Sequence, residues 1–294
     1  MTLKDWLILI FISSMWGGSF FFNAILIENV GPWTLTAGRV TIGAIGVWVY
    51  VILSGRKVPT DPALWWFYIL LGSIFYALPF TAIAWGQQQI SGGLASIINA
   101  MNPITILIVT HFWPGGEKAT RLKFAGVLIG FLGVGLLTFP KLQAGAISEL
   151  LAYVAVYSAT ICYAIALNMT RRLHNHSPVV TAAGSLTGAA LVSIIFAAFV
   201  DGMPSEFSQQ TVWAFLGIGL ISTSLAFSIM YQVLPRIGTV NFSMVTFMVP
   251  ITAIFLGMTF LGESIEAIQL AGMLVIFLGL IFIDGRLFNR KSST

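Results

Sequence analysis

Polar residues in this chain are gathered into short clusters, and long apolar runs separate the clusters. Residues 6–27 lie between Asp5 and Glu28 without a charge, and residues 62–116 carry none at all. Further uncharged runs cover 124–140, 150–170, 173–200, 207–235, 237–262 and 267–283, while 34–54 is interrupted only by Arg39. A bilayer core of roughly 30 Å needs about 20 helical residues. The 62–116 run is long enough for two spans and each of the others suits one. Ten membrane helices are therefore expected, near 5–27, 34–54, 64–86, 92–113, 121–140, 149–170, 178–200, 210–233, 239–261 and 266–286. A membrane β-barrel would alternate apolar and polar residues over segments of about ten, and these runs do not alternate. Gly31-Pro32, Pro59-Thr60-Asp61-Pro62, Ser91-Gly92-Gly93, Ser177-Pro178 and Gly202-Met203-Pro204 supply short turns between spans. The first apolar run exceeds the usual length of a cleavable signal, about 7–15 residues, and is expected to stay in place.

Composition strengthens this picture. The hydrophobic residues make up 57% of the chain and Asp, Glu, Lys and Arg only 8%, against about 25% charged in a soluble domain. Such a chain cannot cover a soluble surface, so soluble enzymes, nucleic-acid binders and disulfide scaffolds are excluded. The lone cysteine, Cys162, has no intrachain partner. No P-loop or dinucleotide fingerprint is present, and no ligand spacing for a metal. No cofactor and no enzymatic activity are expected. The few charges orient the chain. With the N-terminus inside, Lys4, Arg56, Lys57, Lys118, Arg121, Lys123, Arg171, Arg172, Arg236, Arg286, Arg290 and Lys291 fall inside, and only Lys141 falls outside. The positive-inside rule thus predicts both termini in the cytoplasm.

The chain also repeats itself. At an offset of 146 residues (the separation of Gly126 from Gly272), Ala125-Gly126 matches Ala271-Gly272 and Phe131-Leu132-Gly133 matches Phe277-Leu278-Gly279. Pro32 matches Pro178 and Gly38 matches Gly184 in the same register. One residue further, Trp66 aligns with Trp213, Gly72 with Gly219, Phe80 with Phe227, Ser96 with Ser243 and Pro103 with Pro250. The expected organisation is two repeats, residues 1–143 and 144–294, of five helices each. Five is odd, so the second repeat enters the membrane from the opposite side. Inverted repeats in transporters place the substrate near the midplane and supply two interchangeable gates.

These residues carry a resemblance. Pro250, Leu261-Gly262-Glu263, Gly272 and Gly279 in the second half, with Pro103, Gly116-Glu117, Gly126 and Gly133 in the first, resemble the drug/metabolite transporter superfamily in its EamA-type ten-helix form. Trp16-Gly17 resembles the family's opening signature. The resemblance covers nearly the whole chain and implies a ten-helix basket that exports small metabolites across a bacterial inner membrane. Within the family the sequence is most similar to exporters of aromatic amino acids. Pro114-Gly115-Gly116-Glu117 departs from the family's Leu-Gly-Glu by one extra residue, at the end of the fourth helix.

Candidate pathway residues follow from polar groups that hydrocarbon does not tolerate. Gly92, Ser96, Asn99 and Pro103 step by four, three and four along one helical face, and Thr239, Ser243, Thr246 and Pro250 repeat those steps. Asn102 and Asn241 flank the two seams. Asn in a span faces protein or water, so Asn99 and Asn102 are expected to meet substrate. Helix-to-helix adhesion is the competing reading for Ser96, Ser243 and Thr246. Pro103 and Pro250 each remove a backbone hydrogen bond, giving a gating bend or a static kink. Trp16, Tyr76, Tyr157, Tyr163 and Tyr231 lie deep in their spans. Asn23, Trp85 and Gln88 complete the candidate lining, which suits a neutral solute with an aromatic part. Arg39 is expected to snorkel to the headgroups or to hold a structural partner, ahead of binding a substrate carboxylate. No carboxylate lies inside a span, which argues against extrusion of cationic drugs. Gly126-x-x-x-Gly130 and Gly184-x-x-x-Gly188 are expected to pack within the chain rather than between copies.

Overall fold

The computed structural model describes residues 2–116, 118–202, 207–237, 242 and 245–284. Among them there is no strand, and eight helices are long and apolar enough to cross a bilayer. These are α1 (Leu3–Ile27), α2 (Pro32–Leu53), α3 (Pro62–Gln87), α4 (Gly92–Phe112), α5 (Arg121–Gln143), α6 (Ile147–Leu173), α7 (Pro178–Asp201) and α8, which crosses over Gln209–Met230 and continues to Ile237. Two shorter apolar helices follow, α9 (Val245–Phe260) and α10 (Ala267–Asp284). Each expected span coincides with a helix, but the last two are described over less than the expected 239–261 and 266–286. Thr239, Asn241 and Ser243 lie outside the described residues, and so do the side chains of Tyr231 and Thr246.

Helix starts are set by local chemistry. Thr2 and Asp5 close a reciprocal capping box on α1. Side chains of Asp61, Ser91, Thr120 and Ser208 accept from the first-turn amides of α3, α4, α5 and α8. Inside the spans, small hydroxyls are satisfied by carbonyls one turn back, as in Ser13 to Leu9, Thr36 to Pro32 and Ser185 to Thr181. Three helices carry π-type segments, Ser73–Ala77 in α3, Ala197–Asp201 in α7 and Gly217–Leu225 in α8.

Glycine decides how closely the helices approach. The α5–α10 crossing brings backbone to backbone. A Cβ on Gly126 would stand 2.5 Å from the Gly279 carbonyl oxygen, and one on Gly279 2.6 Å from that of Gly126. Gly133 and Gly272 approach reciprocally, at 2.8 and 3.0 Å. In α3, Gly72 lies against the Ser185 carbonyl and Ala189 of α7; in α8, Gly219 lies against the Arg39 carbonyl and Ile42 of α2. Gly184 and Gly188 seat on Tyr68 and Ile69 of α3.

The two ends of the bundle differ chemically. One end holds Asp5 ion-paired to Arg236 at 2.7 Å, and Arg56 donating to Ser177 at 2.8 Å. The other end is acidic. There Glu263 accepts from the Gly92 and Gly93 amides at 2.8 and 3.2 Å, and Asp201 accepts from the Thr34 amide at 2.7 Å. Lys141 is neutralised by Glu149 at 2.9 Å. The turns after α4 and α9 share a left-handed glycine but differ in their bonds: the Gly116 amide donates to the Trp113 carbonyl, whereas those of Leu261 and Glu263 both donate to the Gly257 carbonyl. Gly115 adopts φ +69° and Gly262 φ +66°, left-handed positions that glycine takes without strain.

Candidate substrate site

The fourth span is not one continuous helix. It runs from Gly92 to Asn99, breaks at Ala100–Met101, and resumes from Asn102 to Phe112. Pro103 has no N–H, so the Asn99 carbonyl one turn earlier loses its helical partner. At the same break, the Asn99 and Asn102 side-chain Oδ1 atoms are buried without a hydrogen bond. Two or more acceptors thus point away from any protein donor in the middle of a span. Water or a substrate donor must satisfy them, since an unpaired buried polar group costs about 1–3 kcal/mol.

Aromatic rings form the second component. Trp16 of α1 packs at 5.7 Å from Phe227 of α8 and 5.9 Å from Phe242. Phe227 meets Tyr76 of α3 at 5.6 Å, and Tyr76 meets Phe80 at 5.7 Å. Trp16 and Tyr163 both touch the two largest core clusters, so they stand where the clusters adjoin. The third component is Arg39. It is only 5% exposed, which overturns the expected snorkelling. Its position in the second turn of α2 starts it about 10 Å below the helix end, at 1.5 Å per residue, and its side chain turns inward. The guanidinium lies 3.6 Å from the Phe80 ring centroid, and Nε donates to Thr223 Oγ1 at 3.2 Å.

The chain matches the EamA-like transporter family over residues 4–139 and again over 150–284. It belongs to the EamA-like transporter family. It is 26% identical over 286 residues to "Uncharacterized transporter YoaV" of Bacillus subtilis, covering 96% of this chain and 97% of that one. It is 22% identical over 291 residues to "Probable amino-acid metabolite efflux pump" of Salmonella typhimurium, covering 95% and 94%. "Protein PecM" of Dickeya dadantii is 23% identical, with 99% and 95% covered. A solved crystal structure superposes with a TM-score of 0.69 at 17% identity, over 99% of this chain and all of that one, so the fold is shared. The protein is therefore a multi-pass membrane transporter of a family that moves small molecules, and not an enzyme.

Within this EamA-like chain the expected lining residues do not all converge. Tyr76, 1% exposed, and Trp16 join the aromatic group, and Tyr157 approaches Thr105 of α4 just past the break, at 3.5 Å. Ser96 is sealed and donates to the Gly93 carbonyl at 2.6 Å, which is a helix-internal role. Asn23 is sealed too. Its Nδ2 donates to Gln87 Oε1 at 2.9 Å, and Gln87 donates to the Phe20 carbonyl at 3.0 Å, tying α1 to α3. Gln88, one residue on, is exposed, and Trp85 is 41% exposed on an outer cleft with Trp33 and Asp201. Pro250 lies inside a helix without a break, unlike Pro103. Sequence reasoning missed Gln87, Phe80 and Phe227 as contributors. The matched pair Phe80 and Phe227 was visible as a repeat but carried no polar signal. His111 serves the loop after α4, accepting from the Ala119 amide at 2.8 Å.

Proposed function

We propose that this EamA-like protein is a secondary carrier that exports neutral amino acids, aromatic ones foremost, across the bacterial inner membrane by alternating access. The observation that carries the reading is the reciprocal α5–α10 crossing. Gly126 and Gly133 contact Gly279 and Gly272, and the repeat register makes Gly272 and Gly279 their own counterparts. A contact pattern that maps onto itself when the halves are exchanged is the mark of a two-fold relation. The α3–α7 and α2–α8 crossings obey the same exchange, through Gly72 with Ser185 and Gly219 with Arg39. The double family match over 4–139 and 150–284 supports it further. This favours ten crossings in two inverted five-helix repeats, 1–143 and 144–294, with the basic end cytoplasmic.

Two such halves can rock about a central site, with each end closed in turn. Carboxylates seat on the α2 and α4 N-termini at the acidic end, which the charge bias makes external. Asp5–Arg236 links α1 to α8 at the other. Between them, the rings of Trp16, Tyr76 and Phe227 offer a surface for an aromatic side chain. The open carbonyls at the α4 break offer acceptors for an ammonium or amide donor. Tyr157 and Tyr163 border the same region, and Tyr231 and Thr246 remain candidates on α8 and α9, as does Ser243, which lies outside the described residues. The Salmonella relative, described as an amino-acid metabolite efflux pump, agrees with this substrate class.

Counterflow in proteoliposomes tests the carrier. Liposomes loaded with unlabelled phenylalanine, tyrosine or tryptophan are expected to take up the labelled form with saturable trans-stimulation. Flux that does not saturate would identify a pore, and no flux for any amino acid would leave an assembly role. Equal acceleration by unrelated drugs and metabolites would point to a broad-specificity exporter.

A further inference from the structure

We infer that Arg39 is the anchor for a carboxylate group on the transported molecule, so the substrate class is an organic acid or zwitterion with an aromatic or bulky apolar part. The inference deepens the carrier reading and rests on it.

A guanidinium has five N–H donors. Among the described residues only Nε–H is used, on Thr223 Oγ1. Neither Nη group has an acceptor among the described residues, and no carboxylate among them lies within ion-pair distance of Arg39. The ring of Phe80 covers one face of the group. The donors left over are the two Nη groups, and their planar fork matches the two-pronged bond to a carboxylate. Ionisable residues within membrane spans face the interior or a water-filled path and mark substrate routes by default.

A purely structural role fits poorly. In the exchange of halves, the position equivalent to Arg39 is Ser185 (an offset of 146). The carbonyl of Ser185 receives Gly72 as that of Arg39 receives Gly219. The same helix crossing is therefore built once with a cation and once with a small hydroxyl that bonds its own helix at Thr181. Packing does not require the charge, so the charge serves the asymmetric content of the site. The rings next to it give the rest of the specificity. Phe80, Tyr76, Phe227 and Trp16 follow one another at 5.6–5.7 Å, leading from the guanidinium toward the middle of the bundle.

The test is ligand-induced thermal stabilisation of the purified full-length protein in nanodiscs, at fixed chloride. Pairs of probes differ only in the carboxylate: L-phenylalanine and its amide, L-tyrosine and its amide, L-tryptophan and its amide, 3-phenylpropionate and 3-phenylpropanamide, with acetate as a small-anion control. For at least one pair the acid is expected to bind at least about tenfold more tightly than the amide. Arg39→Gln is expected to abolish that preference while leaving the weak amide response in place, and Arg39→Lys to retain part of it. Ser185→Ala serves as the matched control and keeps the wild-type preference. Equal binding of acid and amide, an acid preference that survives Arg39→Gln, stabilisation by acetate equal to that by the aromatic acids, or no binding by any probe would each overturn the inference. If Arg39→Gln does not fold, the wild-type acid-to-amide ratio alone decides. The outcome separates from that of the carrier: selective acid binding without counterflow removes transport and keeps the site, whereas counterflow of acids and amides alike removes the site and keeps transport.

Discussion

Single polar groups in this protein divide by whether their hydrogen bonds are closed. Asn23 is closed on one side by Gln87, so it is a structural link. Asn23→Ala would leave the Gln87 carbonyl sealed without a donor, a cost of about 1–3 kcal/mol. A lower melting temperature, with substrate binding retained once folded, is the expected result. Oδ1 is unpaired in both Asn23 and Asn99, but Asn99 has no side-chain bond among the described residues and stands at the α4 break, so its replacement should act on transport instead. Asn99→Ala and Trp16→Ala are expected to lower export about tenfold, equivalent to about 1.4 kcal/mol, measured as efflux from right-side-out vesicles loaded with labelled amino acid. Insertion and melting should stay near wild type, and wild-type rates in both variants would remove these residues from the pathway. Asn99, Asn102 and Trp16 stood out in the sequence because Asn or indole in hydrocarbon demands an explanation, and the structure places them at the α4 break and in the aromatic group. Gln87 was not. Three successive glutamines, 87 to 89, differ by about 100° each around the helix axis, and only packing decides which one faces α1. For Arg39 the sequence left snorkelling and a structural partner both open, and the structure shows the partner. The reach of an arginine permits snorkelling from its depth, and the direction in which its side chain leaves α2 is set by Thr223 and Phe80, residues far away in sequence.

Helices in a membrane have no hydrophobic drive toward one another, so contact distance governs their association. The glycines of α5 show the contrast within one element. Gly126 has the Gly279 carbonyl at 2.5 Å from the place a Cβ would occupy, whereas Gly135 has nothing within 4 Å. Gly126→Ala should therefore force α5 and α10 apart, costing about 1–3 kcal/mol, while Gly135→Ala should be neutral or slightly stabilising. Melting curves of the two variants side by side are the measurement, and equal curves would refute the close crossing. The small-residue stripes were legible as places of close contact, but not their partners: Gly126 meets Gly279, whereas Gly130 meets Ile104 and Gly184 and Gly188 seat on Tyr68 and Ile69. The break in α4 was readable only in part. A proline removes one hydrogen bond wherever it stands, yet the helix is interrupted at Pro103 and continuous at Pro250. Pro103 follows Asn102 and comes four residues after Asn99, residues of low helix propensity that do not hold the helix together across the lost bond. Pro250 sits between Val249 and Ile251, which offer the backbone no alternative.

Across the whole molecule, the same few charges that mark the span ends also tie distant helices together at one end. Glu263 follows α9 in the second half and accepts from two amides at the start of α4 in the first, where the helix dipole favours an anion. Asp201 does the same for α2, receiving the Thr34 amide from the end of α7. Both bonds run between halves, so rocking the halves apart at this end must break them together. Glu263→Gln keeps the shape of the side chain and removes its charge, forgoing about 0.3–1 kcal/mol of the closed state's advantage. A shift of that size multiplies the open fraction by roughly two- to fivefold when the open state is the minor one. In a Cys162→Ser background with Asn99→Cys as reporter, labelling by an impermeant maleimide added from outside should rise by that factor in Glu263→Gln. It should rise further when Asp201→Asn is added, because the two bonds close the same end. Unchanged labelling in the double variant would mean that these carboxylates cap helices without gating. Labelling that rises from the cytoplasmic side instead would reverse the assignment of the acidic end.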